Sequence, residues 1–192
     1  YTITMNIPYY ISDTEEIMSD LTGIKLRATM PLGAKFEPSI SGIHDFSDGQ
    51  VFVSTLVYED GTRKPYTFRA VRKKSDNSSL SKVALTDEDV RAVFSITEPT
   101  TDDPKGKLTV LKTSGAVEAA LGSVKLTPAP WASIQAPGYD PQSGIVNLNA
   151  IKEIKVVSQD GVTSTIYEVI IETPSVVPAG RVGYISNLFG LQ

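Results

Sequence analysis

Apolar and polar residues alternate along several short stretches of the chain, as they do in half-buried β-strands. The clearest stretch is 65–71, and the segment before it, 50–58, is rich in Val, Phe and Thr. Between the two lies Glu59-Asp60-Gly61-Thr62. Asp-Gly tolerates the positive φ of a tight turn, so the pattern predicts a β-hairpin. Pro65 cannot donate to a ladder and is expected at a strand start or on an edge.

The same pattern returns about 100 residues later. Residues 151–157 and 165–172 flank Ser158-Gln159-Asp160-Gly161, which predicts a second hairpin. Other apolar positions fall into register as well, and a chance match would not give so long an ordered series. We therefore interpret the chain as two copies of one unit. The matched pairs include Ile24 with Val124, Leu26 with Leu126, Phe46 with Leu148, Tyr66 with Tyr167, and Phe68 with Val169.

The remaining elements are short. A helical turn is predicted at 12–16, where Ser12 and Glu15 have capping-box spacing, and another at 114–121. The alternation of Val90, Ala92, Phe94 and Ile96 favours a strand over a helix. Further strands are predicted at 23–30, 123–127, 90–97 and 107–112, the last two forming a hairpin.

These elements predict an all-β protein with two tandem immunoglobulin-like β-sandwich domains. The first domain covers 1–75 and the second 76–174, with the polar run 72–79 around the boundary. A single up-and-down barrel is the structural alternative, but the repeat argues against it. The C-terminal tail, 175–192, carries several apolar residues. It is expected to pack on the second domain, to pair with an edge strand or to lead to a further domain.

Composition narrows the functional classes. The chain has 192 residues and a net charge of −4, which gives no electrostatic footprint for nucleic acid. There is no cysteine, so disulfides, thiolate metal sites and a cysteine nucleophile are excluded. No apolar stretch approaches the roughly 18 residues that span a bilayer.

Catalysis finds little support in the sequence. The single histidine, His44, is followed by Asp45 and, shortly after, by Ser47. Triad members meet through space rather than as chain neighbours, and the second copy has Val146 at the matching place. His44 is therefore expected to be a surface-loop histidine, and the chain is predicted not to be an enzyme.

Acidic clusters raise the question of calcium. They occur at 13–20, 87–89 and 102–103, and none has the spacing of an EF-hand loop. Solvated loops and edge-strand protection explain them equally well. No metal site and no cofactor is predicted.

Two aromatic residues on Pro-rich loops are the candidate ligand-binding residues. Trp131 is the only tryptophan, and Tyr139 follows in a second Pro-containing loop. A flat aromatic ring on a loop suits the face of a sugar ring. The alternative is that Trp131 fills a gap in the second domain, as large aromatic residues usually do.

The turn motifs resemble a known pattern. The run Asp45-Phe46-Ser47, Val51-Phe52-Val53, Glu59-Asp60-Gly61-Thr62 and Tyr66-Thr67-Phe68 is similar to the immunoglobulin-like repeat domains of Bacteroidetes-type envelope lipoproteins. The second copy keeps Asp160-Gly161 and departs elsewhere. The resemblance implies an immunoglobulin-like fold, a cell-envelope location and a lipidated cysteine upstream of Tyr1. These families define no catalytic residues.

Three hypotheses about function follow. The first is a non-enzymatic cell-envelope protein, an outer-membrane lipoprotein facing the periplasm or the exterior, that serves adhesion or ligand display toward a protein or glycan. The second is glycan binding in polysaccharide capture, with Trp131 and Tyr139 as the platform. The third is a spacer for a catalytic domain outside this chain.

Overall fold

The structure, a computed structural model, describes residues 1–174. The chain divides into two compact units, Tyr1–Asn77 and Ser78–Gln192. The division falls two residues after Ser75, where the sequence analysis ends the first domain. The interpretation of the tail, 175–192, lies outside the described residues.

The first unit is built from six strands around a small apolar core. Its four-stranded sheet has the order β1-β6-β5-β3, with β1 parallel to β6 and the other pairs antiparallel. β2 and β4 form a separate two-stranded sheet. The strands are β1 (Thr2–Pro8), β2 (Ile24–Lys25), β3 (Lys35–Glu37), β4 (Ile43–His44), β5 (Val51–Val57) and β6 (Arg63–Lys73).

The second unit has eight strands and one short helix within the described residues. One sheet has the order β12-β10-β7 and the other β11-β13-β14-β9-β8, with β9 parallel to β14. The elements are β7 (Leu80–Leu85), β8 (Phe94–Thr97), β9 (Gly106–Leu111), α1 (Gly115–Ala120), β10 (Val124–Pro128), β11 (Ser133–Gln135), β12 (Ile145–Val146), β13 (Glu153–Val157) and β14 (Ser164–Glu172).

The core of the second unit lies between its two sheets, in the manner of a sandwich. Leu126 and Val146 from the smaller sheet join Leu108, Ile154 and Tyr167 from the larger one in a single buried cluster. These five side chains are at most 2% exposed. Burial of such side chains stabilises the fold by about 1.5–3 kcal/mol each.

The two units share one arrangement of four paired strands, which we call the strand frame. In the first unit the order is β1-β6-β5-β3, and in the second β11-β13-β14-β9 reads as the same order from the other end. In both units the first strand of this set runs parallel to the last, and a short 3-10 turn precedes the hairpin. The second unit adds β7, β8 and α1 to this frame. The predicted all-β class is confirmed, and the frame gives the sequence repeat a structural counterpart.

The two hairpins predicted with Asp-Gly turns are confirmed, and β8 pairs antiparallel with β9 as the third predicted hairpin requires. Gly61 has φ 83° and Gly161 has φ 73°, the left-handed conformation for which glycine is suited. In the first turn the backbone amide of Thr62 donates to Asp60 Oδ1 at 2.8 Å, and in the second Val162 donates to Asp160 Oδ1 at 2.9 Å. The Asp-Gly pair therefore closes each hairpin through the same contacts.

The helical turn at 114–121 is confirmed and the one at 12–16 is wrong. Ser114 caps α1 by accepting a hydrogen bond from the Val117 amide at 3.3 Å. Ser12 likewise accepts from the Glu15 amide at 3.0 Å, but the chain then reverses. The Ile11 amide donates to the Ile17 carbonyl at 2.9 Å, which leaves too few residues in the loop for a helix.

Two strand predictions are too long. The strand predicted at 90–97 begins only at Phe94, although Val90 and Ala92 do pack against the core as their alternation suggests. The strand predicted at 23–30 is confined to β2, because its partner β4 has only two residues. At Val90 and Ala92 the sequence pattern therefore reflects burial rather than strand pairing, whereas in 23–30 only Ile24 and Leu26 are half-buried or buried.

Pro65 lies within β6 rather than at its start. The pairing of β6 with β1 begins at Thr67, so Pro65 faces β5 on one side and lies beyond the end of β1 on the other. Its carbonyl accepts a hydrogen bond from the Tyr1 amino group at 2.9 Å. The proline thus occupies a locally unpaired side of the strand, where its missing N–H costs no ladder bond.

Candidate ligand-binding site

Trp131 occupies the turn between β10 and β11 in an unusual backbone conformation. The turn is closed by the Ala132 amide, which donates to the Ala129 carbonyl at 3.0 Å. Trp131 is the third residue of this turn and has φ 64°. A glycine is preferred there, and for other L-residues the left-handed conformation costs about 1–2 kcal/mol. The indole side chain is half-buried.

Tyr139 lies beyond the other end of β11, so the two aromatic residues belong to different turns. Its side chain is half-buried and packs against the core cluster of the second unit. Burial, together with the neighbouring Asp140 carboxylate, raises the pKa of the Tyr139 hydroxyl. Ser143 and the Gln142 amide hydrogen-bond to Asp140 and lower the pKa of its carboxyl group. Tyr139 therefore contributes packing at an ordered turn, and its role toward a ligand stays a prediction.

The prediction of a surface-loop histidine at His44 is wrong. His44 lies on β4, half-buried, and its ring centroid is 4.2 Å from that of Phe52. The Nε2 atom is 2.8 Å from the Ile40 carbonyl oxygen. An imidazole held by a main-chain carbonyl and an aromatic ring is a packing residue. The sequence did not reveal this because β4 is only two residues long.

The acidic clusters serve local hydrogen bonds and ion pairs. Asp20 accepts from the amide and hydroxyl of Thr22, which lowers the pKa of its carboxyl group. Asp103 forms an ion pair with Lys107 at 2.7 Å. Within residues 1–174, no three His, Asp or Glu side chains are grouped so that they could hold a metal ion.

A buried tyrosine is the main polar feature that the sequence did not predict. Tyr167 has no exposed surface, and its hydroxyl donates to Glu98 Oε2 at 2.6 Å and accepts from the Leu80 amide at 3.0 Å. Burial and the Glu98 carboxylate raise the pKa of this hydroxyl. Gly106, the register partner of Tyr167, leaves room for the ring, since an added Cβ would lie 2.5 Å from it. This arrangement links β14 to the start of β7 and to the residue that follows β8.

The chain matches no family model, and no curated protein or solved structure matches it. Among residues 1–174, no helix is long and apolar enough to cross a bilayer.

Proposed function

We propose that this chain is a non-enzymatic cell-envelope protein that serves adhesion or ligand display through two tandem immunoglobulin-like domains. The observation that carries the proposal is the repeated strand frame, in which each unit presents loops at the ends of a β-sheet. Repetition of one frame with different loops suits recognition, because loops on a rigid scaffold hold most binding residues.

The strand order supports the immunoglobulin-like assignment. In an immunoglobulin fold, strands C, F and G form one sheet and A, B and E belong to the other. If β3, β5 and β6 are taken as strands C, F and G, their order in the sheet of the first unit is the immunoglobulin order. The strands β11, β13 and β14 have the same order in the second unit. The order β7-β10-β12 then corresponds to A, B and E.

The cell-envelope location rests on the resemblance of the hairpin motifs to envelope lipoproteins. Attachment to the membrane would then run through a lipid anchor on a cysteine upstream of Tyr1, and the domains would face the periplasm or the exterior.

Adhesion is tested with beads that carry the whole chain. The beads are applied to surfaces coated with mucin, fibronectin, collagen or a bacterial polysaccharide, and bead retention is measured against beads coated with an unrelated protein. We expect saturable retention on at least one surface. Absence of retention on every surface contradicts adhesion, and hydrolysis of a polysaccharide by the purified chain contradicts the non-enzymatic assignment.

Glycan binding is the second candidate, and the backbone of Trp131 favours it. A bulky residue in a left-handed turn position costs stability, and such strain is often retained at functional sites. A loop indole could stack on a sugar ring, as aromatic side chains do on other flat faces. Glycine is the residue usually preferred at the third position of such a turn.

The fluorescence of Trp131 tests this second candidate, because the chain has no other tryptophan. The emission is recorded, quenched with iodide and titrated with a panel of polysaccharides. A red-shifted, quenchable emission that changes saturably with one polysaccharide supports a Trp131 platform. A blue-shifted emission that responds to no polysaccharide contradicts it and leaves protein adhesion as the function.

A further inference from the structure

An open groove lies on the outer face of the larger sheet of the second unit. Its volume is about 590 Å³, which is within the range of small-molecule sites. The floor is formed by side chains that alternate with the buried residues of β11, β13 and β14. The lining of the groove includes Gln135, Pro137, Lys152, Glu153, Lys155 and Ile166.

Two lysines give the groove a positive charge within an acidic protein. Lys152 and Lys155 are exposed, and neither forms an ion pair or a side-chain hydrogen bond with any residue in 1–174. The carboxylate in the groove, Glu153, is paired with Lys105 Nζ at 2.5 Å. Since the Glu153 charge is already compensated, the two ammonium groups remain available to a ligand.

The first unit supplies an internal comparison. On the same outer face, Gln135, Lys155 and Ile166 form one row across β11, β13 and β14. The corresponding row across β3, β5 and β6 consists of Glu37, Thr55 and Pro65. The same strand pairing therefore forms in the first unit without a lysine at this position. Lys155 is a feature of the second unit that the fold does not require.

An apolar surface accompanies the charge. Ile166 is half-buried on the outer face, and Pro137 lies in the turn that follows β11. The Gln135 side chain adds a neutral donor and acceptor. A cationic pair beside a small apolar surface and an amide suits a compact molecule with one carboxylate, one apolar face and hydroxyl groups.

We propose that this groove binds the carboxylate of a small organic anion, with Lys152 and Lys155 holding the carboxylate and Ile166 and Pro137 contacting its apolar face. The source is either a free organic acid or a uronic acid unit of a saccharide, since both present the same carboxylate. The proposal goes beyond the proposed function and does not depend on Trp131.

The test uses the whole chain and NMR amide shifts during titration with sodium glucuronate, glucose and sodium acetate. Glucose is the matched neutral ligand, because it has the same ring without the carboxylate. We expect glucuronate to shift the amides of Gln135, Lys152, Lys155 and Ile166, with a Kd on the order of 1 mM, while glucose shifts none. Equal shifts with acetate indicate a free organic acid, and shifts with glucuronate alone indicate a uronic acid saccharide. Both results support a carboxylate site.

The double variant Lys152→Gln/Lys155→Gln should weaken glucuronate binding about tenfold or more. The control Lys82→Gln/Lys125→Gln removes the same charge from exposed positions on β7 and β10 and should bind as the wild type does. No carboxylate-dependent shift in the wild type overturns the proposal. Equal weakening by both variants also overturns it, because the attraction is then a property of overall charge rather than of the groove. Bead adhesion is measured separately, so either proposal can fail alone.

Discussion

At the residue scale, the hydroxyl of Tyr167 holds three parts of the second unit together. It reaches Glu98 after β8 and the amide of Leu80 at the start of β7. The matching residue of the first unit, Tyr66, instead stacks on Tyr1, with ring centroids 5.2 Å apart. The two tyrosines occupy equivalent places but make different contacts, because the first unit has no strand that corresponds to β7.

Tyr167→Phe should lower the free energy of unfolding by about 1–3 kcal/mol, because it leaves the buried Leu80 amide without an acceptor. Urea unfolding followed by circular dichroism measures the loss. Tyr66→Phe is the matched control and should change stability by less than about 0.5 kcal/mol, since the variant keeps the ring contacts. Similar losses in the two variants would contradict the role assigned to the Tyr167 hydroxyl.

At the element scale, glycines at particular positions of the second unit meet two different requirements. Gly161 is in the left-handed region, and nothing lies within 4 Å of the place where a Cβ would be. The requirement for glycine there is conformational rather than steric. Gly106 on β9 is the opposite case, because an added Cβ would lie 2.5 Å from the Tyr167 ring.

Gly161→Ala should destabilise the second unit by about 1–2 kcal/mol through its positive φ, and Gly161→Asn by less. Gly115→Ala, in α1, is the control, because it has open space and an ordinary φ. It should be neutral or stabilising by up to about 1 kcal/mol. The urea midpoint of Trp131 fluorescence measures the stability of each variant, since Trp131, Gly161 and Gly115 all lie in the second unit. An unaltered midpoint for Gly161→Ala would show that the turn relaxes to another conformation.

At the scale of the whole molecule, each unit has its own core. The cluster around Phe68 and Phe46 belongs to the first unit, and the cluster around Leu108 and Tyr167 belongs to the second. No residue is shared between the two clusters. Separate cores predict that each unit loses stability only through substitutions in its own cluster.

Leu108→Ala should destabilise the second unit by about 2–5 kcal/mol, and Phe68→Ala the first by about 3–5 kcal/mol. Because Trp131 lies in the second unit, its fluorescence midpoint in urea should fall with Leu108→Ala and stay unchanged with Phe68→Ala. Circular dichroism should detect both losses. A fluorescence midpoint that also falls with Phe68→Ala would mean that the chain unfolds as a single cooperative body.

Local signals account for what could be predicted from the sequence. Asp60-Gly61 and Asp160-Gly161 predict both hairpins, because a turn conformation depends on the residues within the turn. The repeat, rather than a local signal, predicts α1, as the counterpart of the turn at 12–16. The repeat shows that one arrangement occurs twice. It also shows that Tyr66 and Tyr167 are equivalent positions, although not what their hydroxyls contact.

Only the tertiary structure decided the features that depend on distant partners. The parallel pairing of β1 with β6 joins residues more than 60 positions apart, and no local pattern encodes it. Strand lengths at β2 and β8 follow from their neighbours, and the packing of His44 follows from Phe52. The groove with Lys152 and Lys155 exists because strand pairing brings β11, β13 and β14 side by side. Chain sequence determines which residues prefer to be extended, turned or buried, whereas pairing across the sheet decides which of them meet.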